Sequence, residues 1–263
     1  MDPIWTPEEW ETVVDFATSL RPPPIEMVDF HRRIQSYSQP CIMNDAAGQE
    51  YVVKPLLTTQ PMERALTVDQ IVSRLGMMIG APVGEPDLVF ISDRMIEENK
   101  QLQIPSRYFP GIAHASKLIP GCHDGLEMGQ YQTGLNRPRY ALLAVLYGLA
   151  YCDNDHQVIF QEPGSLVYSV DHGNFFLGGP DWTIESLRET PAARVDPIIL
   201  HTCGLSFPEY QPALQCLKHL NNKHIAYAVA SPPASWEFTL KERGEVAYYI
   251  AKRRNDLIAM LNC

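Results

Sequence analysis

The chain has 263 residues, enough for one large domain or two modest lobes with a real core. Its formal charge of −10 argues against a general nucleic-acid or anionic-membrane binder. No apolar run approaches the ~18 residues needed to cross a bilayer, and the acidic opening MDPIWTPEEWE does not read as a secretory signal.

Thr6-Pro7-Glu8-Glu9 is a helix start: Thr6 caps, Pro7 takes the first turn and Glu9 closes a capping box. The helix should end near Leu20, before the stiff Arg21-Pro22-Pro23-Pro24 linker, leaving residues 1–24 as an appendage on the body. Strands are expected at Val28 to Ile34, Cys41 to Asn44 and Tyr51 to Pro55, with Ala46-Ala47-Gly48 as a turn and Lys54 at the end of an apolar run. A helix from Thr67 to Ile79 follows, with Ile71, Leu75 and Met78 on one face and Gly80 ending it. Leu88 to Ile91 reads as another strand. This order predicts an α+β first lobe over residues 25–117, in which His114 and Lys117 fall in the connection to the next lobe and carry no assigned chemistry.

Residues 118–263 read as mostly helical: Arg137 to Ala150, Pro208 to Leu220, Lys223 to Ala230 and Lys241 to Leu261. Between the first two of these, Val158 to Phe160 and Leu166 to Val170 flank a Pro-Gly turn and predict a hairpin. Each hairpin strand adjoins an acidic turn, Asp153-Asn154-Asp155-His156 and Asp171-His172-Gly173. Two such turns at the open ends of one hairpin can converge on a small volume. That suits phosphoryl transfer, which needs one carboxylate to orient a nucleophile and another to hold a metal on phosphates.

The six cysteines form no CxxC pair and read as reduced thiols of a cytosolic protein. Cys122-His123 and His201-x-Cys203 lack the ligand pairs of a structural zinc site. Thr202, Cys203 and Ser206 have no base partner in the sequence, so nucleophilic hydrolysis is unsupported.

Four segments, taken together, resemble the HipA-like kinase domain, a bacterial branch of the protein-kinase-like fold. SQPCIMNDAAGQEYVVKPL is similar to its Ser-Gln-Pro turn and the strand ending in the ATP-binding lysine. RLGMMIGAPVGEPDLVFI is similar to its helix and Pro-rich turn. VYSVDHGNFFLGGPDW resembles its metal-binding aspartate segment, and WEFTL with YIAKRRNDLIAML its terminal helix. The resemblance implies a two-lobed protein-kinase-like fold, a small strand-rich N-lobe (25–117) and a mostly helical C-lobe (118–263), and an ATP- and Mg²⁺-dependent phosphotransferase. Its acceptor would be a protein hydroxyl or a small molecule. The same resemblance puts Lys54 on the α/β-phosphates, Ser38 and Gln39 in the nucleotide-facing turn, Asp171 on Mg²⁺ and Asp155 in the catalytic position, with Asp153 as its alternative and His156 beside it.

The chain departs from that pattern in three places. Its catalytic loop is short and lacks the metal-binding Asn, leaving Asn154, Gln157 or Asp153 to substitute. The helix offers Asp69-Gln70 where the family has a Glu to pair with the lysine. Ser36-Tyr37 replaces glycines ahead of Ser-Gln-Pro, crowding a loop whose N–H groups would otherwise approach phosphate. A degenerate kinase fold that binds a nucleotide, protein or small ligand without phosphoryl transfer is the alternative.

Overall fold

A computed structural model describes residues 3–36, 38–104, 106–123, 134–153 and 155–262. Helix α1 (Pro7–Ser19) opens with the expected capping box, in which Thr6 N–H donates to Glu9 Oε2 (2.7 Å) and Glu9 N–H to Thr6 Oγ1 (3.3 Å). Its buried Trp10 and Val14 lie against α8 (Asn222–Ala230) and α9 (Leu240–Ala259). Gly244 of α9 permits the approach, since a Cβ there would stand 2.5 Å from the Pro7 carbonyl oxygen. The Arg21 guanidinium then donates to the Pro232 carbonyl (2.8 Å), fixing the start of the proline linker.

Five strands follow: β1 (Ile25–Arg33), β2 (Cys41–Asp45), β3 (Glu50–Lys54), β4 (Pro86–Ile91) and β5 (Gly111–Lys117). They close into a barrel in the order β1-β2-β3-β5-β4, antiparallel except for the parallel β1–β4 seam. Met27, Met43, Tyr51, Val53, Val89 and Ala113 fill it, and Trp236 from the helical half adds its ring and donates Nε1–H to the Ile112 carbonyl (3.2 Å). Two expectations are corrected here. The first strand begins at Ile25, not Val28, because Ile25 and Glu26 pair with Val89 and Phe90 across the seam. Residues 111–117 are not a connection but the strand between β3 and β4; their small Ala113 and Ala115 suit a crowded barrel interior.

Helix α2 runs from Glu63, not Thr67, to Met78. Leu66 joins the barrel core, whereas Val68, Ile71, Val72 and Leu75 join the core of the helical half, so α2 is buried between the two. After the short α3 (Asp93–Glu98), the helical half is built on α4 (Asn136–Ala150) and the sheet β6 (Cys122–His123), β7 (Val158–Gln161) and β8 (Leu166–Ser169). Around it stand α5 (Ile184–Glu189), α6 (Pro197–Thr202), α7 (Phe207–Cys216), α8 and α9. Arg253 of α9 is buried and donates to the Gly148, Leu149 and Pro191 carbonyls. It thereby satisfies the free end of α4, from which the first acidic turn emerges. Among the described residues no helix is long and apolar enough to cross a membrane.

Candidate active site

Lys54 ends β3, and its ammonium lies between two carboxylates: Asp69 Oδ2 of α2 at 2.5 Å and Asp171 Oδ1, after β8, at 2.7 Å. Burial works against the charge on Lys54, but Asp69 and Asp171 outweigh it and push its pKa above the ordinary lysine value. Burial likewise opposes ionisation of Asp69, yet the Lys54 charge and the facing His114 and His172 hold it well below the usual carboxylate range. Asp69 therefore takes the pairing place in the helix. The Gln70 amide turns instead to His114, donating to Nδ1 at 2.7 Å, with its oxygen accepting from Arg74 Nε at 2.9 Å. Buried behind this pair, His114 has its pKa pushed down to about 4, first by burial.

Asp171 adopts a left-handed conformation (φ +61°, ψ +60°), which costs an L-residue about 1 kcal/mol. It opens a 3₁₀ turn, His172–Asn174, that lies flush on α2: a Cβ at Gly173 would stand 3.2 Å from the Ala65 carbonyl oxygen. His172 is buried; its backbone N–H donates to Asp69 Oδ1 (3.2 Å), and its ring meets the Ser73 and Ser169 hydroxyls at 3.0 and 2.8 Å.

The second acidic turn reaches the same place. Asp155 accepts from the Gln157 amide on Oδ1 (2.9 Å) and from the Asn174 amide on Oδ2 (2.5 Å). Asn174, three residues past Asp171, thus joins the two turns, and no spacing rule in the sequence marks it. Asp153 is exposed at the turn and Gln157 is exposed beside it. His156 points inward, its Nε2 3.1 Å from Asp196 Oδ1 and its Nδ1 3.7 Å from Cys152 Sγ. Asp196 was equally invisible in sequence; it caps α6 through Ile199 N–H and is held to α4 by its own N–H on the Ala144 carbonyl. Asn154 and Tyr37 lie outside the described residues.

Antiparallel pairing of β2 with β3 sets Cys41 opposite Val53, so the turn before β2 stands at the barrel end where Lys54 emerges. Within that turn Ser38 is buried, and Gln39 (φ +46°) sends its amide N–H to Ser106 Oγ (3.1 Å) while its carbonyl accepts from Tyr108. The turn is thus braced by the 106–108 segment, and among the described residues the Lys54 ammonium bonds to Asp69 and Asp171 and not to Ser38 or Gln39.

Among the described residues no three acidic, His or Cys side chains are arranged as a ready metal cage. Magnesium does not require one, because it is commonly held by one or two carboxylates with phosphate and water oxygens completing the shell. The donor chemistry fits that mode. One ammonium faces two carboxylates, leaving a surplus negative charge, and the Asp171 side chain is 34% exposed.

No protein-family model matches the sequence, and no curated protein matches it significantly. Among solved structures, the chain is similar to the Helicobacter pylori proinflammatory kinase CtkA (TM-score 0.60, 12% identity), over 91% of this chain and 97% of that one. Weaker likenesses are to the Golgi casein kinase (TM-score 0.49, 12% identity, 96% of this chain and 77% of that one) and to the same kinase with Mn/ADP bound (TM-score 0.47, 12% identity, 94% and 76%). At such identities the likeness speaks for the fold alone: this is a protein-kinase-like α+β fold, with a strand-rich N-terminal part and a helical C-terminal part.

Proposed function

We propose that the chain is an ATP- and Mg²⁺-dependent phosphotransferase of the HipA type, acting on a hydroxyl of a protein or small-molecule acceptor. The observation that carries this is the buried ammonium of Lys54 held between Asp69 and Asp171 in a kinase-like fold. Residues 25–117 and 118–263 would be the two lobes, with ATP between them. On this reading Lys54 stays paired with Asp69 and turns its remaining donors to the α/β-phosphates. Asp171 would hold Mg²⁺, which, when bound, neutralises charge building on the phosphate oxygens. Asp155 orients the acceptor hydroxyl and takes its proton; the acceptor oxygen bonds to the γ-phosphorus as the bond to the β–γ bridging oxygen breaks, and ADP leaves. Both Asp155 oxygens accept an amide N–H, and each keeps a lone pair for that hydroxyl. His156, engaged with Asp196, anchors the turn.

A second reading, nucleotide binding without transfer, draws on the short loop, where Asp155 is clamped by two amides and the family's metal-binding Asn has no direct counterpart in the sequence. Thermal-shift titration with ATP and Mg²⁺, singly and together, followed by single-turnover γ-phosphate loss, separates the two. Stabilisation only by the combination, lost in Asp171→Ala, supports the site. Turnover abolished by Asp155→Asn at nearly unchanged nucleotide affinity supports transfer, since a group orienting the acceptor acts in the transition state. Turnover that survives both Asp155→Asn and Asp153→Asn overturns the assigned mechanism.

A further inference from the structure

Resting on that reading, the strongest unassigned feature is the buried chain of polar groups behind Asp171. His172, only 1% exposed, touches three elements. On the α2 side its Nδ1 lies 3.0 Å from Ser73 Oγ and 3.3 Å from Asp69 Oδ1. From β8, Ser169 Oγ lies 2.8 Å from Nε2, and the Tyr147 hydroxyl of α4 lies 2.6 Å from Ser169 Oγ. One tautomer satisfies every partner. Tyr147 O–H donates to Ser169, Ser169 O–H donates to Nε2, and Nδ1–H is left for Ser73 and Asp69. The chain ends on the carboxylate that pairs with Lys54. Ring edges close the surroundings: Phe175 stands 5.3 Å from His172, and Tyr147 stands 4.8 Å from Phe175.

We propose that His172 is a positioning residue that holds the Asp171 carboxylate in register with the Lys54–Asp69 pair. Two of its groups bear on Asp69, the backbone N–H and Nδ1, while its neighbour Asp171 is held left-handed beside Lys54. Space filling alone would not require nitrogens at both edges of the ring, each within hydrogen-bonding distance of a buried hydroxyl. The link toward Asp69 controls the register; the link toward Ser169 sets the ring plane.

The two halves of the ring can be tested separately. The amide of His172→Asn stands near Nδ1, that of His172→Gln near Nε2, and His172→Phe fills the volume with neither. Single-turnover phosphate loss and Mg·ATP affinity by calorimetry are measured with the melting temperature of each variant. A misplacement of the order of 1 Å at a reacting centre lowers the rate about 100-fold. That loss is expected for the Phe and Gln variants, with recovery to within about tenfold for Asn, whichever of Asn and Gln is the more stable. Equal losses in Asn and Gln, or losses that follow melting temperature, overturn the proposal. Should the Phe variant not fold, the Asn and Gln pair carries the test alone. If the unmodified protein neither binds Mg·ATP nor turns over, the kinase reading fails, and the register is read from acetylation of Lys54 by acetic anhydride with mass spectrometry. Lys54 protected in the unmodified and Asn proteins but labelled at least tenfold faster in Gln supports the positioning role. The same labelling rate in all of them refutes it.

Discussion

Asp69→Asn tests the centre of the site without reference to any ligand. The substitution keeps shape but removes the charge that holds Lys54 at 2.5 Å and that also accepts the His172 N–H. Breaking one side of a buried ion pair costs about 3–5 kcal/mol. Asp171 remains to pair with Lys54, so the lower end applies, about 3 kcal/mol at pH 7. For a chain of this size that is roughly 6–12 °C in melting temperature. The pH dependence has a definite sign. Asp69 has its folded pKa depressed, so its contribution is complete above the unfolded carboxylate value of about 3.9 and is lost as pH falls through the folded value. Urea unfolding of both proteins from pH 7 to pH 3 should show a constant gap down to about pH 4 that narrows below it. An unchanged melting temperature, or a gap indifferent to pH, would refute the buried ion pair.

His114 predicts a second, separate window. With a folded pKa of about 4 against about 6.5 unfolded, it favours proton uptake by the unfolded chain, so stability should fall by up to about 3 kcal/mol as pH drops from 6.5 to 4. His114→Gln should flatten that slope in the same urea series; a slope left unchanged assigns the acid sensitivity elsewhere. Gly148→Ala should destabilise by about 3 kcal/mol, since its Cβ would drive into the Arg194 carbonyl oxygen, backbone that cannot turn aside. Because residues 194–196 also present Asp196 to His156, the variant should expose the 151–157 turn to proteolysis before the barrel. Simultaneous cleavage of both would contradict that coupling. Asn174→Ala should free Asp155 Oδ2 and lower turnover about tenfold with little effect on melting, because the lost bond is exposed. A large change in melting temperature would make Asn174 a folding residue instead.

What could be read in the sequence was local. The capping box at Thr6 and the Pro-Gly hairpin each rest on residues within a few positions of one another, and each formed where expected. Lys54 and Asp171 were singled out by the resemblance of their flanking segments and not by local pattern alone, since a Lys at a strand end or an Asp in a turn is ordinary; the fold brings the two to 2.7 Å. β5 was not legible, because Ile112-Ala113-His114-Ala115-Ser116 has one β-branched residue and two alanines, and its strand character comes from neighbours on both sides. Asn174 and Asp196 were equally silent. Their partners, Asp155 and His156, lie 19 and 40 residues away, and an Asn or Asp in a loop is by itself an ordinary turn former.

The place of Asp69 beside Lys54 follows from how α2 is seated. Two glycines set the helix close against the helical half. A Cβ on Gly76 would meet Leu146 and Val83 at 3.0 Å, and one on Gly173 would meet the Ala65 backbone. The same closeness puts Val68, Ile71, Val72 and Leu75 into the core of the helical half while Leu66 stays in the barrel core. Swinging α2 outward would expose those four apolar side chains, at about 1.5–3 kcal/mol each. It would also leave Lys54 with a single carboxylate. The Lys54–Asp69 pair is therefore formed as part of folding and is not a contact that the helix can make and break cheaply.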